Sequence, residues 1–348
     1  MLVEKCNSPI EFIMKKIYLL LLFITLFSLQ SCLQESDTEP NTYQGNFDAL
    51  WKIIDTRYCY LDYKNIDWDS VYNVYQPKVK EVKNRYQLFD LLGNMLSALK
   101  DGHVNLYSGF DRSRYWKWFT DYPSNFDWNI VQKNYLGDDY RIASALLYNK
   151  IASGKVGYIY YESFSNNFNN SNMSYIFDLC KDCKGLIIDV RNNGGGLITN
   201  AELLASYFFK EKTLTGYVMH KIGDGHSDFS EPVATYVEPN EILQWHRKVV
   251  ILTNRMSYSA TNDFVCMMQY APNAIIIGDK TGGGGGLPFS SEIPYGWMVR
   301  FSTSPTLDAN KQHIENGILP DIKLDTNPED AAKGYDAIIE RAIQEILK

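Results

Sequence analysis

Phe47, Leu50, Trp51, Ile54 and Tyr58 recur at helical spacing and predict a first helix. A second is predicted around Asp69 to Val82, interrupted at Pro77, which lacks a backbone N–H. In a third, Leu88, Leu91, Leu92, Met95, Leu96 and Leu99 stripe one face. It is expected to end at Lys100-Asp101-Gly102, with the glycine as a left-handed stop. These helices would form a subdomain over 45–102. Residues 103–153 open with a β-like run, Val104 to Tyr107, and continue as an aromatic, loop-rich connection without a clear period.

From residue 154 the pattern changes to alternating strands and helices. Val156–Tyr161, Gly185–Val190, Lys248–Thr253 and Ala274–Gly278 read as buried strands. Asn172–Leu179, Leu197–Phe209 and Ser259–Tyr270 read as helices between or beside them. Such order predicts an α/β layered core with parallel strands over 154–348. β-type segments around Phe289–Ser304 and a C-terminal helix from about Pro328 to Leu347 complete it.

The first residues are of another kind. Met14-Lys15-Lys16 is a basic start, Ile17–Leu29 an apolar run shorter than a membrane span, and Leu29-Gln30-Ser31-Cys32 its close. Residues 1–32 thus read as a signal peptide whose end resembles a bacterial lipobox, which implies a lipid anchor at Cys32 and a cell-envelope location. The polar stretch after Cys32, within 33–44, would be a flexible tether. The formal net charge of −7, with no basic run beyond the start, argues against a nucleic-acid partner. Of six cysteines, Cys6 precedes the mature chain, and Cys59, Cys180, Cys183 and Cys266 remain beside Cys32. Cys180-Lys181-Asp182-Cys183 has metal or redox spacing but no second ligand pair, so a local disulfide or two plain thiols is the expectation.

Two segments could carry chemistry. Asp189-Val190-Arg191-Asn192-Asn193-Gly194-Gly195-Gly196 follows a buried strand, and its glycines can present N–H groups to an anion at a helix start. A plain turn, a phosphate loop and an oxyanion hole all remain possible, although no phosphate-loop signature is present. Ser257-Tyr258-Ser259-Ala260-Thr261 lies between a strand and a helix, where either serine could be a nucleophile or simply an N-cap. A serine nucleophile needs a base. The chain offers His103, His220, His226, His246 and His313, and composition does not choose among them.

Taken in order, Asp101-Gly102-His103, the Asp189–Gly196 segment, Ser257–Thr261, Gly278-Asp279-Lys280-Thr281-Gly282-Gly283 and Glu315-Asn316-Gly317-Ile318-Leu319-Pro320-Asp321-Ile322 resemble the tail-specific, C-terminal-processing serine peptidases. The resemblance implies a crotonase/ClpP-like layered core and an acyl-enzyme mechanism on polypeptide substrates, with no metal or organic cofactor. It matches Ser259 to the nucleophile, and Ala260 and Gly195 to oxyanion-hole donors. The lysine base of one branch has glycine at its place, and Lys280 falls too early. The chain is instead similar to the tricorn-like and retinoid-binding-protein-like branch, which implies His103 as base and Glu315 as the acid that orients it. In that branch a serine precedes the histidine, where this chain has Gly102. Glu315 must then reach His103 directly or through another hydroxyl. Asn262 replaces the family's glutamate, which reads as a helix-surface detail. Gly282–Gly286 reads equally as a mobile lid or substrate edge and as a long hairpin loop. About 50 residues between His103 and Gly154 leave no room for a PDZ domain. The alternative is an inactive peptide- or lipid-binding protein on the same fold. An acyl-CoA enzyme is disfavoured for an exported chain.

Overall fold

The computed structural model describes residues 39–348. The signal segment, Cys6, the Cys32 lipobox and the first half of the tether lie outside the described residues. Helices α1 (Tyr43–Arg57), α2 (Trp68–Tyr75) and α3 (Arg85–Leu96) form the N-terminal region. Thr42, Asp67 and Asn84 cap them by accepting backbone N–H bonds in their first turns. Pro77 ends α2 as expected, and the chain continues as a 3-10 turn over Gln76–Glu81 with Pro77 in its first positions.

The main sheet has the order β13-β10-β9-β6-β5-β4-β3. Its parallel centre comprises β5 (Val156–Tyr161), β6 (Gly185–Asp189), β9 (Lys248–Thr253), β10 (Ala274–Gly278) and the short β13 (Ile322–Lys323). Antiparallel β4 (Leu146–Ile151) and β3 (Arg141–Ala143) extend one edge. Helices α4 (Asn170–Leu179), α5 (Ile198–Ser206) and α6 (Ala260–Met268) pack against one face. Helix α7 (Ala337–Leu347) covers the other, where Ile338, Ile339 and Ala342 meet Ile187, Val250 and Ile277. Strands buried on both faces are continuously apolar, which is why their limits match the sequence pattern closely.

A second, antiparallel sheet has the order β2-β1-β12-β7-β8, with β11 also paired to β12. These are β1 (Asn105–Tyr107), β2 (Arg112–Arg114), β7 (Thr213–Val218), β8 (Val233–Val237), β11 (Gly286–Glu292) and β12 (Met298–Asp308). The helical region packs on it through Leu88, Leu92, Leu106, Val299 and Phe301. The molecule is therefore a mixed α/β fold of two sheets with a helical N-terminal region. Residues 103–153 are more structured than their sequence suggests, because strands of three to six residues belonging to both sheets are too short to show a period.

Two local expectations are corrected, and one pair of alternatives is resolved. Lys100, not Gly102, takes the left-handed position after α3, at φ 48°. Gly102 is required for space, since a Cβ there would lie 2.7 Å from Trp118 Nε1. The C-terminal helix is broken at Gly334, φ 81°, into Pro328–Ala332 and α7. Cys180 and Cys183 are buried free thiols rather than a disulfide.

Candidate active site

The turn after β6 is built on a buried charge cluster. Arg191 bridges Asp189 (Nη2–Oδ2 2.6 Å) and Asp336 (Nη1–Oδ2 2.7 Å), while the Tyr158 hydroxyl donates to Asp189 at 2.7 Å. With its carboxylates matched, this guanidinium fixes the strand end and α7 together. Beyond it, Asn193 donates to the Tyr161 carbonyl at 2.8 Å. Its Oδ1 accepts from Thr261 Oγ1 at 2.7 Å and from the Gly195 N–H at 3.0 Å. The glycine loop is thereby tied to the first turn of α6. Gly195, at φ 96°, has no room for a side chain: a Cβ would lie 2.8 Å from Ser259 Cβ and 3.0 Å from Ala260 N.

Ser259 precedes α6 at φ 58° and ψ −127°, a backbone region costing on the order of 1–3 kcal/mol for a non-glycine residue. Its N–H donates to the Gly283 carbonyl at 2.9 Å and its carbonyl accepts from Asp263 N–H at 3.0 Å, which holds the strained conformation in place. The side chain makes no capping bond. Ser257 is buried elsewhere, donating to the Val190 carbonyl at 2.8 Å. Capping thus accounts for neither serine. Ser259 is partly exposed, and its Oγ lies 2.9 Å from His103 Nε2.

His103 reaches that position from the junction of the helices and the second sheet. Asp101 Oδ1 accepts its backbone N–H at 2.7 Å, a local Asp turn that aims the imidazole inward. The ring packs edge-on against Tyr258, with centroids 4.9 Å apart. Burial lowers its pKa to about 4; the nearby Asp101 raises it, but too little to compensate. The imidazole is therefore neutral near pH 7. Its other nitrogen, Nδ1, lies 3.3 Å from Ser302 Oγ on β12.

Glu315 does not touch the imidazole. Its Oε1 pairs with Lys64 Nζ at 2.6 Å and its Oε2 accepts the Gly285 N–H at 3.0 Å. Lys64 also binds Asp101 Oδ2 at 3.0 Å, and the Tyr58 hydroxyl donates to that oxygen at 2.6 Å. Burial, then Asp101, raises the Glu315 pKa, while Lys64 opposes this. For Asp101 burial works upward too, but Lys64 and then His103 override it and hold the carboxyl well below the usual range. Two buried carboxylates share one ammonium. The sequence-based orientation of His103 by Glu315 is thus replaced by Asp101 at the backbone and Ser302 at the ring.

The Gly195 N–H is occupied by Asn193, whereas the Ala260 N–H carries no protein acceptor among the described residues. Asn262 is buried rather than on the helix surface: it donates to the Ile314 carbonyl at 3.1 Å and accepts from Thr281 Oγ1 at 2.6 Å. The run Gly282–Gly286 is not an open hairpin loop, and its Gly283 carbonyl edges the Ser259 turn. It threads between Tyr258 and the 314–315 backbone, where a Cβ on Gly285 would meet Ile314 at 2.6 Å. The other histidines stand apart from Ser259. His220 faces Ser304, His226 lies between Asp55 and Asp62, His313 rests on Tyr60 and Tyr63, and the His246 carbonyl accepts from Asn273. Ser302, Lys64 and Tyr258 escaped the sequence reading. Only Asp101, two residues before a histidine, carried a local signal.

Comparison with known proteins places this arrangement. Peptidase family S41 matches residues 155–324, and the tricorn protease C1 domain matches residues 39–97. The crystal structure of a candidate peptidase from Parabacteroides merdae ATCC 43184 is 51% identical, covers 89% of this chain and 98% of that one, and superposes with a TM-score of 0.86. The chain belongs to peptidase family S41. This S41 chain is also 28% identical over 177 residues to the "Probable CtpA-like serine protease" of Staphylococcus aureus (strain bovine RF122 / ET3-1). That match covers 50% of this chain and 34% of the relative, so the chain spans about a third of the curated relatives it matches. Mature CPAF complexed with lactacystin shares the fold at 12% identity, with a TM-score of 0.67 over 87% of this chain and 97% of that one.

Proposed function

We propose that the chain is a serine endopeptidase of the tail-specific processing type, with Ser259 as nucleophile and His103 as general base. The 2.9 Å contact between Ser259 Oγ and His103 Nε2 carries this reading. A neutral imidazole protonated at Nδ1, its proton directed to Ser302 Oγ, leaves Nε2 free to take the serine proton. Ser259 Oγ then attacks a peptide carbonyl, and the oxyanion forms at the start of α6, where the Ala260 N–H is unengaged. Gly195 lines the same spot, and its N–H would exchange Asn193 Oδ1 for the oxyanion. His103 returns the proton to the leaving amine, and water activated by the same imidazole releases the acyl group. Glu315 and Lys64 act at a distance, as a buried pair that positions Asp101. Strand β11 pairs only with β12 among the described residues and exposes Leu287 and Phe289, which suits addition of an extended polypeptide.

The signal segment and Cys32 support an exported, lipid-anchored protein acting on polypeptides of the cell envelope. The catalytic assignment is tested with Ser259→Ala on an unstructured polypeptide. Cleavage should fall to background while the variant keeps the parent's unfolding midpoint. Undiminished cleavage would remove Ser259 from the mechanism.

A further inference from the structure

One cavity is lined in part by α6, the helix that Ser259 precedes. It has a volume of about 220 Å³ and lies between α5, α6, β7 and β12. Ile198, Met267, Leu287, Leu307 and Ile314 supply apolar walls, and Asp263 and Glu202 are its charged residues. No lysine, arginine or histidine lines it. Asp263 makes no ion pair, and its side chain makes no hydrogen bond, among the described residues. Burial and then the neighbouring Glu202 push its carboxyl up to about 7, and burial also raises Glu202. The cavity thus offers apolar walls and carboxylate oxygens with no fixed cation: Asp263 is only partly exposed, while Glu202 is exposed.

Its position ties it to the reacting atoms. Asp263 follows Ser259 by one helical turn on the same face, and its N–H bonds the Ser259 carbonyl at 3.0 Å. Ile198 comes two residues after Gly196 of the glycine loop, and Ile314 directly precedes Glu315. The segments that frame the serine therefore also wall the cavity. A long cationic side chain matches both its features. The aliphatic stem would lie along the apolar walls while the charged end reaches the carboxylates.

We propose that this cavity is a substrate side-chain subsite, selective for a lysine or arginine flanking the scissile bond, with Asp263 as the main specificity-determining residue and Glu202 supporting it. This rests on the peptidase reading, so the test separates the two. Binding is measured by fluorescence anisotropy on the full chain carrying Ser259→Ala. The probes are unstructured decapeptides with one lysine, or norleucine in its place, at each position in turn. Lysine at one position should bind about tenfold tighter than norleucine, and adding Asp263→Asn should bring that ratio close to one. In parallel, cleavage sites of the unaltered chain on an unstructured polypeptide are mapped by mass spectrometry and should carry a basic residue at one fixed position. Equal binding of lysine and norleucine at every position, or a ratio unchanged by Asp263→Asn, overturns the subsite even if the chain cleaves. A lysine preference lost in Asp263→Asn upholds the subsite, even where the unaltered chain cleaves nothing and the peptidase reading falls.

Discussion

Replacing Ser302 with alanine tests how the imidazole is held. His103 is 4% exposed, so its Nδ1 proton has no water to fall back on once the Ser302 hydroxyl, 3.3 Å away, is removed. A buried donor left without an acceptor costs about 1–3 kcal/mol. The ring can avoid that cost by moving the proton to Nε2, but that tautomer faces Ser259 with a donor and cannot accept its proton. Either way the productive state loses roughly that free energy, which corresponds to about a 5- to 160-fold fall in kcat/KM. The long separation places the effect toward the lower end. The assay is steady-state hydrolysis of a fluorogenic peptide across pH, with thermal unfolding as a control. The loss should fall mainly on kcat, the acid limb of the profile should shift, and Ser302→Thr should recover most of the rate. Full activity in Ser302→Ala, with an unshifted profile, would refute the idea that this hydroxyl orients His103.

Other consequences are equally direct. Burial holds the His103 pKa at about 4, so the acid limb of kcat/KM should lie well below the ~6.5 of a free imidazole. The same depression makes the native state bind fewer protons than the unfolded chain between about pH 4 and 6.5. The His103 contribution to stability is therefore present above that window and lost as pH falls through it, which urea unfolding at a series of pH values would register. Lys64→Met strands Asp101 and Glu315 as buried carboxylates and should destabilise the fold by about 3–5 kcal/mol, measured by urea titration. Adding Glu315→Gln should recover part of it. Gly195→Ala forces a Cβ to within 2.8 Å of Ser259 Cβ at φ 96° and should abolish hydrolysis with a smaller effect on unfolding.

The parallel centre of the main sheet was legible because both of its faces are buried. Val156–Tyr161, Lys248–Thr253 and Ala274–Gly278 appear in the chain as segments with apolar centres, and the observed strands have those limits. The second sheet was mostly hidden. One side of β7 and β8 faces outward, and β1 and β2 have three residues each. The proximity of Ser259 and His103, 156 positions apart, has no local signal, and composition left five histidines open. Only the ordered set of motifs singled out His103. Ser302 was invisible for a related reason: a serine in a strand reads as a surface position, and its contact with the imidazole exists only once β12 crosses beside the end of α3. Asn262 was misread because an asparagine in a helix ordinarily faces water, whereas here it bonds the Thr281 hydroxyl and the Ile314 carbonyl.

The most direct measurement is covalent labelling of the chain by a fluorophosphonate, located by peptide mass spectrometry. The hydroxyl beside a neutral, buried imidazole should be the site of reaction, so one adduct is expected on Ser259, strongly diminished in His103→Ala. Absence of an adduct, an adduct on another serine, or labelling indifferent to His103 would contradict the account.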